Sequence, residues 1–226
     1  MKDWPQTIDE ARAAQERLKG QVRTRDDWDR LQYVAGTDVS YQPGTSWARA
    51  AWAVLQLPDL KLVDQATAEA WVSFPYVPGF LSFREIPPLM QAFSGLRIRP
   101  DLIVCDGQGI AHPRGFGLAC HLGVLLNIPA LGAAKSKLIG DYILPDLKRG
   151  NWTPLVWRDK TLGAVLCTKS GIKPLFVSSG HRISQQSSIE TVLQLTGKYK
   201  LPETTRAAHA LSSGRQPVPL NAFDAG

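Results

Sequence analysis

The first part of the chain has the periodicity of an amphipathic helix, which we predict over residues 7–31. Thr7 is placed to cap the N-terminus of this helix, and Glu10, three positions later, completes a capping box. The apolar residues that recur at helical spacing are Ala11, Ala14 and Leu18. Because glycine weakens a helix interior, Gly20 predicts a break or kink towards the far end.

Strand-like runs follow at Leu31–Tyr41, Arg49–Leu57 and Lys61–Phe74. The connections between these runs are short and rich in turn residues, and strands that are joined in this way pair antiparallel. Prolines then mark a loop, and the next helix is predicted over Pro87–Gly95, starting at either of two adjacent prolines. Proline is tolerated in the first turn of a helix but not in its interior.

The pattern changes after residue 100, where Asp101–Asp106 (DLIVCD) is apolar on both faces, as in a buried parallel strand. We predict a helix over Gly115–Asn127 and a second apolar strand over Pro129–Ala134. The remaining predicted elements are strands near 155–158, 162–168 and 174–178 and a helix near 184–196. Antiparallel strands followed by alternating helices and parallel strands predict an α/β fold, with a ribonuclease H-like mixed sheet flanked by helices.

Composition limits the class of protein. The 226 residues are 44% hydrophobic, which excludes a disordered chain, and we predict one domain over 1–211 with a disordered tail at 212–226. The formal charge of +6 leans towards polyanionic partners. The three cysteines of the chain, Cys105, Cys120 and Cys167, are scattered and form no CxxC pair. We therefore expect the protein to reside in a reducing cytoplasm. Without a membrane-length apolar run or an exposed apolar stripe, we expect no membrane partner and a monomer.

Asp38 and Asp106 are the acids whose positions suggest chemistry. Asp38 lies inside a predicted strand, on the same face as Gly36 and Ser40, and Asp106 ends a buried strand just before Gly107. If these strands are neighbours, the two carboxylates repel each other unless a cation lies between them. Mg²⁺ binds such carboxylates and assists phosphodiester hydrolysis. The alternatives are a solvated acid on an edge strand and an ordinary turn acid.

Four segments resemble the endonuclease V family of deoxyinosine 3′-endonucleases. They are 34–41 (VAGTDVSY), 75–85 (PYVPGFLSFRE), 101–135 (DLIVCDGQGIAHPRGFGLACHLGVLLNIPALGAAK) and 174–184 (PLFVSSGHRIS). The resemblance covers roughly residues 8–210. It implies a ribonuclease H-like fold and dependence on Mg²⁺, for which Mn²⁺ substitutes. The implied reaction nicks DNA at the second phosphodiester bond 3′ to a deaminated base.

The resemblance also implies the residues of the active site. Asp38, Glu85 and Asp106 are similar to the acidic metal ligands of the family. His112 is similar to the residue that orients phosphate or the attacking water, and Lys135 to the lysine that contacts the phosphate at the cut. Without the family, Glu85 reads as a solvated acid, His112 as a loop histidine and Lys135 as a surface lysine.

A proline-flanked loop resembles the wedge with which the family fills the gap left by an extracted nucleotide. Its residues are Pro75, Tyr76, Val77 and Pro78. Two prolines stiffen the loop, and Tyr76 offers a ring that can stack on bases. The positions that match the base pocket of the family are Gly79, Leu81, Gly107 and Leu118. A backbone N–H at a glycine can donate to the 6-oxo group of hypoxanthine without a side chain in between.

The resemblance extends to four further positions. Arg84, His181 and Arg182 match contacts with backbone phosphates, and His209 lies near a C-terminal position that the family places close to the metal. Gln108 departs from the histidine of many bacterial members, and glutamine cannot titrate. Two alternatives to a DNA repair enzyme stay open: a binding module without chemistry, and an endoribonuclease specific for inosine in RNA.

Overall fold

The computed structural model of the chain describes residues 4–217. The helices are α1 (Ile8–Lys19), α2 (Leu81–Phe93), α3 (Leu118–Leu126), α4 (Gln185–Gln194) and α5 (Glu203–Ser212). The strands are β1 (Tyr33–Tyr41), β2 (Trp47–Gln56), β3 (Lys61–Trp71), β4 (Leu102–Cys105), β5 (Ala130–Ala134), β6 (Trp152–Trp157), β7 (Lys160–Leu166) and β8 (Leu175–His181).

All these strands form one mixed sheet in the order β3-β2-β1-β4-β5-β8-β7-β6. Strands β1, β2 and β3 pair antiparallel, β1, β4 and β5 pair parallel, and β8 runs antiparallel to β5. The predicted fold class, a mixed sheet flanked by helices, is confirmed. Because β1, β4 and β5 point the same way, their carboxyl ends share one edge of the sheet, which is where open α/β sheets bind ligands.

Helices cover both faces of the sheet, and the short strand β4 shows how the faces are divided. Ile103 and Cys105 point towards α2 and α3, while Leu102 and Val104 point towards α4. The core on the first face includes Trp52, Ile86, Leu89 and Leu122. The core on the second face includes Leu131, Val177, Ile189 and Val192. Burial on both faces explains why β4 lacks polar alternation.

The first predicted helix is too long. Helix α1 ends at Lys19, and the residues up to 31 contain no helix. This segment makes tertiary contacts instead: the Asp26 carboxylate accepts hydrogen bonds from the backbone N–H and the hydroxyl of Ser184, which caps α4. Arg182 donates from Nε to the Asp27 carboxylate over 3.1 Å. These contacts hold the chain in a conformation that local periodicity does not reveal.

The predicted start of α2 at a proline is wrong. Helix α2 begins at Leu81 and contains both Pro87 and Pro88 in its interior. Proline lacks the N–H that would bond to the carbonyl four residues earlier, which for Pro87 is the carbonyl of Phe83. The indole Nε1 of Trp4 donates to that carbonyl over 2.9 Å. A side chain from the N-terminal segment therefore replaces the missing backbone donor.

Helix α5 was not predicted at all, and it reaches one residue into the predicted tail because it ends at Ser212. Most of that tail, residues 218–226, lies outside the described residues. No helix within residues 4–217 is long and apolar enough to cross a lipid bilayer.

Candidate active site

Asp38 lies on the face of β1 that α5 covers. Gly36, two residues earlier, makes this packing possible, because a Cβ there would lie 2.1 Å from the backbone oxygen of Thr204. One carboxylate oxygen of Asp38, Oδ2, accepts a hydrogen bond from the Ser212 hydroxyl. The same oxygen lies 3.1 Å from Nδ1 of His209. Helix α5 thus adds a serine and a histidine to the predicted acid.

Asp106 directly follows β4 and is paired with the lysine that follows β5. The Lys135 ammonium lies 2.5 Å from Oδ2 of Asp106. The register explains this proximity, because Cys105 pairs with Gly132 and both strands end within two residues of that pair. The side chain of Asp106 is 17% exposed and that of Lys135 is 47% exposed. The pair therefore lies at the surface, where a phosphate can reach it.

Glu85 joins the two strand acids from the first turns of α2. Its pKa is raised well above the ordinary value, first by burial and then by the negative charges of Asp38 and Asp106, and the positive charge of Arg84 opposes this. Charges that raise the pKa of Glu85 in this way must lie close to it, so three elements that are distant in sequence bring the three predicted ligands near one another. Sequence pattern alone could not distinguish Glu85 from a solvated acid.

The carboxylates are already held by side chains. Asp38 is bound by Ser212 and His209, and Asp106 by Lys135. Among residues 4–217, no group of three His, Cys, Asp or Glu side chains is gathered into a ready-made metal cluster. The donor set nevertheless fits a hard divalent cation, because carboxylate oxygens are the ligands that Mg²⁺ prefers and a cation removes the repulsion felt by Glu85.

The proline-flanked loop presents its tyrosine to solvent. Tyr76 is 70% exposed, and Pro75 and Pro78 are exposed on either side of it. Val77 packs against the cluster of phenylalanines that anchors α2 to α1. Arg84 donates from Nη1 to the carbonyl of Phe74 over 2.7 Å, which holds the first end of the loop. The loop is anchored at its base and free at its tip, as a wedge requires.

The second end of this loop is held by the carbonyl of Gly79, which accepts hydrogen bonds from three side chains. The donors are Gln15 Nε2 at 3.0 Å, His112 Nε2 at 3.0 Å and Arg114 Nη2 at 2.6 Å. Gly79 has a φ of 81°, and a Cβ there would lie 2.8 Å from Arg114. We call Gln15, His112 and Arg114 the Gly79 clamp.

The predicted base-pocket residues fall into two pairs in the structure, and their joint contact with a base stays a prediction. Gly107 follows Asp106 directly, and a Cβ on it would lie 3.3 Å from the side chain of Leu118 at the start of α3. Leu81 begins α2, two residues after Gly79. Gln108, the departure from the family, is buried and donates to the carbonyl of Ser136 over 2.9 Å, so it joins this loop to the chain beyond β5.

His112 and Arg84, which are predicted to contact phosphate, are already engaged with groups of the protein. His112 is buried, and its Nδ1 accepts the N–H of Arg114 while its Nε2 bonds to Gly79. Burial and the neighbouring Arg114 lower its pKa to about 4, so the ring is neutral. Arg84 stacks its guanidinium 4.5 Å from the ring centre of Tyr41. In this structure both side chains contact only other parts of the protein, and their contact with substrate stays a prediction.

The structure places His181 away from the acids, and its contact with a backbone phosphate stays a prediction. His181 is buried and pairs with Ala130, the first residue of β5. Because β8 runs antiparallel to β5, its last residue lies at the edge of the sheet opposite Asp106. Arg182, the next residue, is bound to Asp27 at that same far edge. The direction of one strand therefore places both residues at the edge opposite the acids.

The sequence analysis missed three residues of the site: Gln15, Arg114 and Ser212. Gln15 is fully buried on the face of α1 that carries Ala11 and Ala14, and a polar residue on an apolar face is the signal that could have revealed it. No feature of the sequence marks Ser212 as a site residue. It falls in the predicted tail, and it contacts Asp38, from which it is separated by 174 positions.

Comparison with known proteins agrees with this geometry. The family model described as Endonuclease V matches residues 16–210. The chain belongs to the endonuclease V family. An endonuclease V of Trichormus variabilis is 53% identical over 214 residues, covering 94% of this chain and 96% of the relative. The resemblance stated from the sequence is confirmed, and the chain is a nuclease of this family and not a module that only binds.

Solved structures of the family share the fold. A crystal structure of endonuclease V from Streptomyces avermitilis has a TM-score of 0.90 and 45% identity, covering 95% of each chain. A Ciona intestinalis endonuclease V, solved in complex with a 23mer DNA that contains an inosine followed by a ribo-adenosine, has a TM-score of 0.82 and 31% identity, covering 92% of this chain and 95% of that one.

Proposed function

We propose that the chain is a metal-dependent DNA repair endonuclease that recognises deoxyinosine and cuts the second phosphodiester bond 3′ to it. The observation that carries the proposal is the convergence of Asp38, Glu85 and Asp106 at one edge of the sheet. The exposed Tyr76 loop leads directly into the helix that holds Glu85. The Ciona relative bound to inosine-containing DNA supports the same substrate.

Asp38, Glu85 and Asp106 would hold the metal, with Mg²⁺ as the expected ion and Mn²⁺ as a substitute. A hard cation held there would supply Lewis-acid polarisation of the phosphoryl group and would assist attack by water. The chain itself contributes position and charge: His209 and Ser212 orient the Asp38 carboxylate, and Lys135 neutralises part of the negative charge beside Asp106.

Lys135 is also placed to receive the substrate. Its side chain is half exposed, and a compact point charge is suited to a non-bridging phosphate oxygen. Because Lys135 already touches Asp106, a phosphate that it binds lies next to the acids. This arrangement orients the bond to be cut before hydrolysis begins.

The lesion would be recognised by extrusion of the base and by backbone donors. Tyr76 enters the duplex and stacks in the place of the extruded nucleotide, whose removal costs a few kcal/mol and less for a poorly paired base. The base then lies among Gly79, Leu81, Gly107 and Leu118. Glycines at two of these positions keep backbone N–H groups accessible to the 6-oxo group that distinguishes hypoxanthine from adenine.

The test is nicking of end-labelled duplexes with and without one inosine, in Mg²⁺, in Mn²⁺ and with a chelator. We expect a cut at the second bond 3′ to inosine, no cut without metal, and little cutting of the undamaged strand. Asp106→Asn should slow cleavage by roughly a thousandfold, about 4 kcal/mol, because it removes a metal ligand and leaves the contacts with DNA in place.

The control for Asp106→Asn is Asp9→Asn, because the Asp9 side chain is 91% exposed on α1 and lies outside the site. It should cleave as the unmodified chain does, and both variants should bind the inosine duplex. Full cleavage by Asp106→Asn, or cleavage in chelator, contradicts the proposal.

RNA is the second candidate substrate. The Ciona complexes contain a ribonucleotide directly after the inosine, so a ribose at that position is compatible with binding in that relative. Recognition by backbone donors around the base does not read the sugar, and an RNA strand with one inosine should therefore be tested beside the DNA strand. Faster cleavage of the RNA strand would make this chain an endoribonuclease.

A further inference from the structure

Three lysines that come from separate segments meet at the edge of the sheet that carries the active site. Lys135 directly follows β5, and Lys173 lies two residues before β8. Since β5 and β8 pair antiparallel with Ala134 opposite Phe176, the end of β5 and the start of β8 lie side by side. This places Lys173 at the same edge as Lys135 and Asp106.

Lys200 is brought to that edge by the chain beyond β7. Thr168 follows the end of β7, whose Leu166 pairs with Leu175 at the start of β8. The Thr168 hydroxyl donates to the carbonyl of Lys200 over 2.6 Å and fixes the position of that segment. The fold therefore assembles three ammonium groups beside Asp106.

Lys200 feels the charges of the other two lysines, and of the three only Lys135 is paired with a carboxylate of the described residues. The pKa of Lys200 is lowered, first by burial and then by repulsion from Lys173 and Lys135. In the part of the chain that the structure describes, neither Lys173 nor Lys200 forms an ion pair with a carboxylate. Lys173 and Lys200 therefore add two positive charges that no carboxylate within residues 4–217 neutralises, and an anionic ligand would relieve their repulsion.

We propose that Lys173 and Lys200 bind backbone phosphates of the substrate strand. These phosphates would lie next to the one that Lys135 binds, on the side away from the acids. This inference rests on the proposed function, because it assumes that the strand enters at the edge that carries Asp106. The ligand is the phosphodiester backbone of a nucleic acid, and the contact reads no base. These lysines position the strand and take no part in the chemistry.

The first measurement is the salt dependence of binding for inosine-containing and undamaged duplexes. Lys173→Gln and Lys200→Gln should each reduce the slope of log K against log salt by about 0.9 and raise Kd about eightfold at ~0.1 M salt, equally for both duplexes. Lys173→Arg and Lys200→Arg keep the charge and should keep the slope. If the variants have the same unfolding midpoint as the unmodified chain, a folding defect is excluded. If Lys200→Gln is unfolded, the test relies on Lys173→Gln.

The matched control is Lys160→Gln. Lys160 is exposed at the start of β7, and because β7 is antiparallel to β8 this residue lies at the far edge of the sheet. Its replacement should leave the slope unchanged. Equal slopes for the control and both cluster variants would overturn the proposal, as would a loss of binding confined to the inosine duplex.

A second measurement locates the contact on the strand. A neutral methylphosphonate is placed at one linkage at a time, and we expect one or two linkages at which it weakens binding of the unmodified chain but not of the Lys173→Gln or Lys200→Gln chains. If the loss of affinity caused by the methylphosphonate adds to the loss caused by the lysine substitution at every linkage, the contact is refuted. Nicking of inosine DNA is measured in parallel. If the unmodified chain does not nick this DNA, the proposed function fails. The slopes of log K against log salt on undamaged duplex still decide whether the lysines bind phosphates.

Discussion

The Gly79 clamp predicts that a residue remote from the acids affects recognition of the lesion. In Gln15→Leu the carbonyl of Gly79 loses one of its three side-chain donors, and Nε of Arg114 loses its bond to Oε1 of Gln15. The lost bond to Phe116 is long, at 3.4 Å, and matters less. An unpaired, partly buried arginine nitrogen and one lost hydrogen bond together lower the free energy of unfolding by about 2 kcal/mol.

The functional consequence follows from the place of Gly79 at the second end of the Tyr76 loop. With two of the three donors left, this end of the loop is held less firmly and Tyr76 no longer keeps one position. A displacement of about 1 Å costs roughly a hundredfold in a well-aligned reaction. We expect Gln15→Leu to lower kcat/KM on inosine DNA ten- to a hundredfold and to reduce discrimination against undamaged DNA. Binding of undamaged duplex should change little.

Urea unfolding measures the first effect, and nicking of paired inosine and undamaged duplexes, at a temperature where the variant is folded, measures the second. Gln21→Leu is the matched control, because Gln21 is exposed just beyond α1 and the same replacement there breaks no contact of the clamp. A Gln15→Leu chain that is less stable but discriminates as well as the unmodified chain would show that the clamp does not position the loop.

Two further predictions concern single aromatic side chains. Tyr76→Ala should reduce the preference for inosine over undamaged duplex in nicking assays without shifting the unfolding midpoint, since the side chain is 70% exposed; unchanged preference would exclude Tyr76 as the wedge. His121 is buried against Trp4, and burial lowers its pKa to about 3, below the ordinary value of about 6.5 in the unfolded chain. The unfolded chain therefore binds more protons between these values, and about 2 kcal/mol of stability present above pH 6.5 is lost by pH 5. Urea titrations should show a weaker loss in His121→Asn, and an identical loss would contradict the buried neutral ring.

Local pattern was sufficient for much of the sheet and for two of the acids. Alternation and apolar runs located β1 to β5 within a few residues, because strand patterns report which faces are buried. The position of Asp38 inside a strand and of Asp106 at the end of a buried one predicted that they would meet, and the parallel pairing of β1 with β4 brings them together. Glu85 required the resemblance to the family, since nothing in its own surroundings distinguishes it.

The tertiary structure decided what depends on partners far along the chain. The indole of Trp4 replaces the donor that Pro87 lacks inside α2, and the packing of α5 brings His209 and Ser212 to Asp38. The direction of β8 places His181 at the edge opposite Asp106. The partners in these contacts with Trp4 and Asp38 are separated by 79 to 174 positions. A pattern in a short window reflects local backbone preference and burial, whereas such contacts form only after the whole chain has packed.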